Sequence, residues 1–375
     1  MVNNKLGIVG GGQLGRMLAL AAIPLGFEVM VLDPHPNCPA AAVAKQIIGN
    51  FKDTKAILDF AAQVDMMTFE IESANVEALQ LLQAQGKAIN PQTQMLALIK
   101  DKLAQKRFYQ QIHIPCASFV DIDSKQDVLD AAQALAYPLL LKARFDAYDG
   151  RGNVLVNHEH EIDIALEKLG HKNLYVEQFV PFAKELAVMV ARDVDGNIRS
   201  YPVVETIHKH HICHTVIAPA PVEKYIADQA QQLAEQLVGH LEGAGVFGVE
   251  MFLTENGDVL VNEIAPRVHN SGHYTMEACV TSQFEQHVRA VCGLPLGNTT
   301  MKVPAAVMVN ILGQRQGVAA VQGLAKVLTI SGIAVHLYGK TETKIERKMG
   351  HITAIADDVA TATKKAQQAL SEIGI

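Results

Sequence analysis

The stretch GVEMFLTENGDVLVNEIAPR, residues 248–267, decides how this chain is read. Two alternating apolar runs flank Asn256-Gly257, a strong short-range signal for a hairpin with a two-residue turn. That turn places Glu250 directly opposite Glu263. Cross-strand neighbours have Cβ atoms about 4.5–5.5 Å apart. Two carboxylates so close on a half-buried face repel, and one pKa rises unless a cation lies between them. Magnesium commonly takes one or two carboxylates and completes its shell with phosphate oxygens and water. The hairpin therefore predicts a metal bridge at a phosphate site.

Upstream, LLLKARFDAYDGRGNVLV (139–156) is a strand, a glycine-containing loop and a returning strand, the form of a flap that folds over phosphates. Lys142 ends its apolar strand, where an ammonium is costly without an anion. YVEQFV (175–180) offers a polar strand end before Pro181, with backbone groups for a base and a carboxylate for a ribose. APRVHNSGHYTMEAC (265–279) follows the second carboxylate directly; its Arg267, His269 and loop amides before a helix suit an oxyanion. In HKHHICH (208–214) alternate strand residues point to opposite faces, so the histidines do not converge, and a zinc site is not expected.

The amino terminus carries a different signal. GIVGGGQLGRM (7–17) contains Gly10-x-Gly12-x-x-Gly15 after an apolar strand, with Asp33 ending the next strand. Alone it reads as a dinucleotide site. The first hundred residues alternate strand and helix, which implies a parallel sheet whose ligands sit at the strands' carboxyl ends, beside the glycine loop, Asp33, Glu70 and Glu72. No second mononucleotide-binding half follows, and the better nucleotide site lies elsewhere, so the nicotinamide reading fails. Residues 91–112 read as a helical connector, 113–185 as a small mixed unit, 186–300 as antiparallel with a hairpin at Asp195-Gly196, and the remainder as α+β ending in a helix.

The chain has 375 residues, 49% hydrophobic, enough for several cores. Its net charge of −7 argues against non-specific nucleic-acid binding. Five scattered cysteines without a C-x-x-C spacing read as free thiols in a reducing compartment. With no apolar run near the roughly 20 residues of a membrane span and no signal-peptide pattern at the start, a soluble cytoplasmic protein is expected.

Taken in order, GGGQLGRM, YDGRGN, EQFV, VEMF, NEIAPRVHNSGH and ERKMGH resemble the ATP-grasp superfamily, and within it the 5-(carboxyamino)imidazole ribonucleotide synthase family of purine biosynthesis. The resemblance implies α/β and α+β architecture: an amino-terminal Rossmann-like domain (1–100), an ATP-grasp small subdomain with the flap (101–185), an ATP-grasp central subdomain (186–300) and a carboxy-terminal α+β domain (301–375). It implies ATP-dependent carboxylation of aminoimidazole ribonucleotide by bicarbonate through carboxyphosphate, in a homodimer. By motif, ATP would be held by Lys102, Lys142, the flap residues Ala147, Tyr148, Asp149, Gly150, Arg151, Gly152 and Asn153, then Glu177, Gln178, Phe179, Val180, Glu185, His208, Asn262 and Glu263.

Under the same resemblance, Glu250 and Glu263 would hold Mg2+, and Arg267 and His269, with Lys340 beside them, would handle bicarbonate and carboxyphosphate. Tyr148, Asp149, Arg151, Lys340 and Arg347 would contact the ribonucleotide, its phosphate resting on Gly11, Gly12, Gln13 and Leu14. Glu70 or Glu72 would lie near its amine as proton acceptor. Two departures stand out: the flap has Asp146, Ala147 and Asn153 where the family has two glycines and a glutamine, and Lys102 stands where arginine is common, a point charge for a planar fork. A formate-using or biotin-carboxylating ATP-grasp ligase, and a non-catalytic nucleotide sensor, are the rival readings. RVHNSGH with a short carboxy-terminal domain weighs against the first, and the presence of Lys142, Glu250, Glu263 and Arg267 against the second.

Overall fold

The computed structural model describes residues 4–145 and 152–375. Its amino-terminal unit is a parallel sheet of β1 (Lys5–Val9), β2 (Glu28–Asp33), β3 (Lys45–Ile48), β4 (Met66–Phe69) and β5 (Ala88–Ile89), ordered β3-β2-β1-β4-β5. β1 is covered on both faces, so Leu6, Ile8 and Val9 are all buried and its sequence is a continuous apolar run. The strand order reverses direction at β1, which opens a crevice at the carboxyl ends of β1 and β4. β3 has no such run; it is an edge strand whose residues are all partly exposed, and the sequence pattern did not signal it.

A second, antiparallel sheet comprises β6 (Phe119–Ile122), β7 (Leu139–Ala143), β8 (Asn153–Val156) and β9 (Leu174–Gln178), ordered β6-β9-β7-β8. Leu139, Leu141, Val156 and Val176 bury one face against helices Lys125–Leu135 and Ile162–Leu169. The flap leaves from β7 and returns in β8, with Lys142 opposite Asn153.

The large sheet begins with β10 (Phe182–Arg192), β11 (Ile198–Ser200), β12 (Val204–Lys209), β13 (Ile212–Ala218), β14 (Gly245–Thr254) and β15 (Val259–Ala265). It continues into the tail. β16 (Ala305–Leu312) pairs with β13, and after a short ribbon of β17 (Gly317–Val318) with β19 (Glu342–Thr343), β18 (Ile333–Leu337) and β20 (Lys348–Ala356) complete it. The order β15-β14-β10-β12-β13-β16-β20-β18 runs without a break from the carboxylate hairpin to the far edge. Among the described residues no helix is long and apolar enough to cross a membrane.

The deciding hairpin differs from expectation in an instructive way. Thr254 donates its amide to the Asp258 carbonyl, so the loop holds Glu255, Asn256 and Gly257, the last at φ +89°, instead of two residues. The three-residue loop shifts the register by one, pairing Leu253 with Val259 and Met251 with Val261. A β-bulge at Asn262 then takes up the extra residue and returns Glu250 to a position opposite Glu263.

Helix Gln283–Val291 ties the amino-terminal sheet to the large one. His287 is fully buried there: its Nδ1 accepts the Val246 amide at 3.0 Å and its Nε2 lies 2.8 Å from the Thr68 hydroxyl. Because Nδ1 accepts, the ring proton sits on Nε2 and donates to Thr68. Burial pushes the imidazole pKa down to about 3, so the ring stays neutral. His287→Leu strands a buried amide and a hydroxyl, each worth about 1–3 kcal/mol. A lowered midpoint of urea unfolding is expected; an unchanged one would show that His287 contributes no tie between the sheets.

Candidate active site

Two cavities meet at the junction of the three sheets. One, about 320 Å³, lies between the antiparallel sheets and is lined by Lys142, Asn153, Glu177, Glu185, His208, Glu250, Asn262 and Glu263 among others. The other, about 920 Å³, opens at the carboxyl ends of the parallel strands and is lined by Gln13, Leu14, Glu70 and Ser73 among others. Glu72, Lys102, Arg267, His269, Asn270 and Lys348 line both and form the wall between them.

The carboxylate pair sits in the first cavity. Lys102, at the first turn of helix Lys102–Gln111, brings its ammonium to 2.7 Å from Glu263 Oε2. Burial works against that charge, but Glu263, Glu72 and Glu250 together raise the Lys102 pKa above the ordinary lysine value. Glu263 is held low because Lys102 outweighs its burial, whereas burial and the neighbouring Glu263 charge push Glu250 up to about 7. The asymmetry follows from geometry: one carboxylate has the lysine, while the other faces His269 Nε2 at 3.5 Å. Burial, with Arg267 next, lowers His269 to about 3, so that ring is neutral and supplies no charge to Glu250. Among the described residues no cluster of three or more His, Cys, Asp or Glu side chains surrounds one point. Two facing carboxylates with open space beside them fit magnesium, which draws its remaining oxygens from phosphates and water.

Lys142 reaches the same cavity from β7 and is held 3.3 Å from Glu177 Oε1, while Lys106 lies 3.0 Å from Glu177 Oε2. The Glu177 carboxylate is thus enclosed between two lysines and orients Lys142; it is not free for a ribose, as the sequence reading expected. Lys106, fully buried on a helix, carried no motif and was missed. Burial lowers the Lys142 pKa even beside Glu177, leaving an ammonium that gains from an incoming anion. Glu185 is paired with His208 across β10 and β12, and both line the cavity. Gln178 and Phe179 are exposed and Val180 is half-buried at the rim, outside the cavity lining. Ala147, Tyr148, Asp149, Gly150 and Arg151 lie outside the described residues.

On the wall, Arg267 Nη2 is 3.0 Å from Glu72 Oε1, joining the loop after β15 to the loop after β4. In the second cavity the glycine loop is arranged differently from a simple phosphate cradle. The Gly11 amide donates to Asp33 Oδ2 (2.9 Å) and the Gly12 amide to Glu70 Oε1 (2.7 Å), so neither donor is open to a phosphate. Gln13 and Leu14, at the helix start, face the cavity instead. Glycine is required at 11, where a Cβ would lie 2.4 Å from Cys38 Sγ, and at 12 a Cβ would lie 2.9 Å from Glu70 Oε1 and push that carboxylate aside. Burial raises the Glu70 pKa above the usual carboxylate value.

The basic turn divides unexpectedly. Lys340 donates to the Lys348 carbonyl at 2.7 Å and lines neither cavity; Arg347 is exposed and donates to the Glu342 carbonyl at 2.7 Å. Lys340 nevertheless lies near enough to Glu70, which lines the second cavity, for its charge to favour the ionised carboxylate. Lys348, the residue after Arg347, lines both cavities. Nothing in composition separates Lys348 from its neighbour Arg347 within ERKMGH; the strand it opens turns it inward.

Family models match the chain in three stretches: a ribonucleotide synthetase preATP-grasp domain over 3–100, an ATP-grasp domain over 107–284 and a phosphoribosylaminoimidazole carboxylase C-terminal domain over 306–365. Fold and site together define an ATP-grasp ligase. An N5-carboxyaminoimidazole ribonucleotide synthase of Bacillus subtilis is 41% identical over 350 residues, covering 93% of this chain and 90% of that one. The chain belongs to the N5-carboxyaminoimidazole ribonucleotide synthase family. The crystal structure of the synthetase from Thermotoga maritima superposes with a TM-score of 0.90 at 43% identity, covering 99% of each chain. That of the Aspergillus clavatus synthase in complex with ADP and 5-aminoimidazole ribonucleotide does so with a TM-score of 0.91 at 38% identity, again over 99% of each. A phosphoribosylaminoimidazole carboxylase of Ogataea methanolica is 45% identical over 374 residues, but this chain spans 69% of its length.

With Glu250 pushed up to about 7, metal binding to the nucleotide-free protein must displace its proton. The affinity for Mg2+ or Mn2+ is expected to fall about tenfold per pH unit below about 7, with proton release visible by calorimetry in buffers of different ionisation enthalpy. An affinity that stays flat across neutrality would contradict the assignment of the carboxylate pair.

Proposed function

We propose that this chain carboxylates the exocyclic amine of 5-aminoimidazole ribonucleotide, using ATP and bicarbonate, and releases N5-carboxyaminoimidazole ribonucleotide, ADP and phosphate. The observation that carries this reading is the shared wall: a nucleotide-sized cavity and a second cavity at a parallel-sheet switch point meet across Glu72, Lys102, Arg267, His269, Asn270 and Lys348. ATP belongs in the first cavity, its phosphates against Lys142, Lys102 and the flap. Magnesium, when held by Glu250 and Glu263, supplies charge neutralisation to those phosphates.

Bicarbonate sits on the wall, where Arg267 and Lys348 supply fixed positive charge and the neutral His269 a hydrogen-bond donor. One of its oxygens attacks the γ-phosphorus, the bond from γ-phosphorus to the β-bridging oxygen breaks, and ADP leaves. The ribonucleotide amine then attacks either the carbonyl carbon of carboxyphosphate or the carbon of the carbon dioxide that carboxyphosphate releases. The carbon–oxygen bond to phosphate breaks, and phosphate departs with the electron pair. The amine proton goes to that phosphate or to a carboxylate, with Glu70 lining the ribonucleotide cavity and Glu72 held by Arg267 at the wall. Gln13, Leu14 and the helix start receive the ribonucleotide phosphate, with Gly11 and Gly12 shaping the turn through Asp33 and Glu70. Carboxyphosphate hydrolyses quickly in water, and closure of the flap over the first cavity protects it.

The reading extends to a division of work among residues 1–100, 101–185, 186–300 and 301–375. It extends also to a reducing cytoplasm, in keeping with five cysteines that form no disulfide, and to a homodimer, which rests on the family resemblance. ADP release with magnesium-ATP is expected only when both aminoimidazole ribonucleotide and bicarbonate are present, and to fall on the order of 100-fold in Glu263→Ala. Release that ignores the ribonucleotide but responds to formate or to another acceptor would overturn the substrate.

A further inference from the structure

His269 stands on the wall between the cavities, yet it sits in a loop with little regular structure. One side chain holds that loop. Gln283, the first residue of helix Gln283–Val291, is fully buried. Its Oε1 accepts the His269 amide at 2.9 Å, and its Nε2 donates to the His269 carbonyl at 2.7 Å. The side-chain amide thus pairs with both backbone groups of one residue, as a neighbouring strand would. The second hydrogen of Nε2 points to His273 Nδ1 at 3.0 Å. A flipped amide would set its NH2 against the His269 N–H, so the orientation follows from the partners.

The surroundings are built to this amide. A Cβ on Gly272 would lie 2.4 Å from Gln283 Oε1, so only glycine lets the loop close over it. The Gln283 amide nitrogen itself donates to Thr275 Oγ1 (2.9 Å), whose hydroxyl donates to the Gly272 carbonyl (2.6 Å). All three polar hydrogens of Gln283 and its Oε1 therefore have partners within one loop. One helical turn later His287 makes the tie between Thr68 and Val246. Residues four apart share a helix face, so one face of this helix fixes both the loop bearing His269 and β14, the strand bearing Glu250.

We propose that Gln283 is the positioning residue that couples ATP cleavage to carboxylation, by holding His269 at the place where bicarbonate is phosphorylated and carboxyphosphate is passed on. This rests on the reaction proposed above. Gln283 touches neither nucleotide nor ribonucleotide cavity and acts through the backbone of residue 269. Its loss moves the acyl-phosphate end of the site while leaving the grip on ATP in place.

The test compares Gln283→Leu, which removes the clasp, with Gln283→Glu, which keeps the acceptor for the His269 amide and loses the donor. Product and ADP are measured separately, with KM values for bicarbonate and for magnesium-ATP. A displacement near 1 Å costs up to about 100-fold in such steps. The expected result is a KM for bicarbonate raised about tenfold or more, a KM for ATP within about twofold, and more ADP released per carboxylated product. Gln283→Glu should lie between wild type and Gln283→Leu, and it covers the case in which the leucine variant does not fold. Variants that lose both activities in proportion, with the ratio of ADP to product unchanged, would overturn the proposal and leave Gln283 a purely structural residue. A wild type without ribonucleotide-dependent turnover would overturn the parent reading and this one together.

Discussion

Two glutamates that face each other across a β-ladder set the terms for the rest of this molecule. Glu250 and Glu263 cannot both carry full charge at such separation without a cation, and the fold answers with Lys102, 2.7 Å from Glu263. That lysine is delivered by helix Lys102–Gln111, which lies between the parallel sheet and the small antiparallel sheet, so the connection between them ends at the charge pair. Around it the chain places cations and anions in alternation: Arg267 on Glu72, Lys142 and Lys106 on Glu177, His208 on Glu185. Arg267 and Lys142 thereby stand as cationic groups at the cavity walls, where a polyphosphate fits by charge.

Large-sheet continuity explains how distant segments reach one wall. β14 and β15 carry the glutamates, and the loop after β15 carries Arg267 and His269. Six strands away in the same sheet, β20 brings in Lys348. The parallel sheet contributes Glu72 from the end of β4, and the Arg267–Glu72 ion pair closes the seam. A single rigid sheet behind most of the wall suits chemistry in which an unstable acyl phosphate passes from one cavity to the next, because misplacement by an ångström is costly.

Much of this was legible in the sequence wherever local pattern and chemistry agree. The hairpin of residues 248–267, the paired strands β7 and β8 on either side of the flap residues, and the strand-helix alternation of the first hundred residues are short-range signals, and each is present in the structure. Glu250 does face Glu263, although a three-residue loop and a bulge at Asn262 replace the expected two-residue turn; the two shifts cancel. What sequence left hidden depends on distant contacts. Lys106 is buried against Glu177 from a helix with no motif. The amides of Gly11 and Gly12 are occupied by Asp33 and Glu70, carboxylates 22 and 58 residues away. Lys348 is turned toward both cavities by the strand that begins there, and β3 lacks a pattern because an edge strand buries too little to need one.

The central claim is that one wall phosphorylates bicarbonate and hands the product across to an amine. Its most direct measurement is the fate of oxygen from 18O-labelled bicarbonate during turnover with aminoimidazole ribonucleotide and magnesium-ATP. If a bicarbonate oxygen attacks the γ-phosphorus and the carbon–oxygen bond later breaks, that oxygen stays with the phosphate, and labelled inorganic phosphate is expected in proportion to product. Unlabelled phosphate from an enzyme that is making carboxylated ribonucleotide would contradict carboxyphosphate formation at this wall.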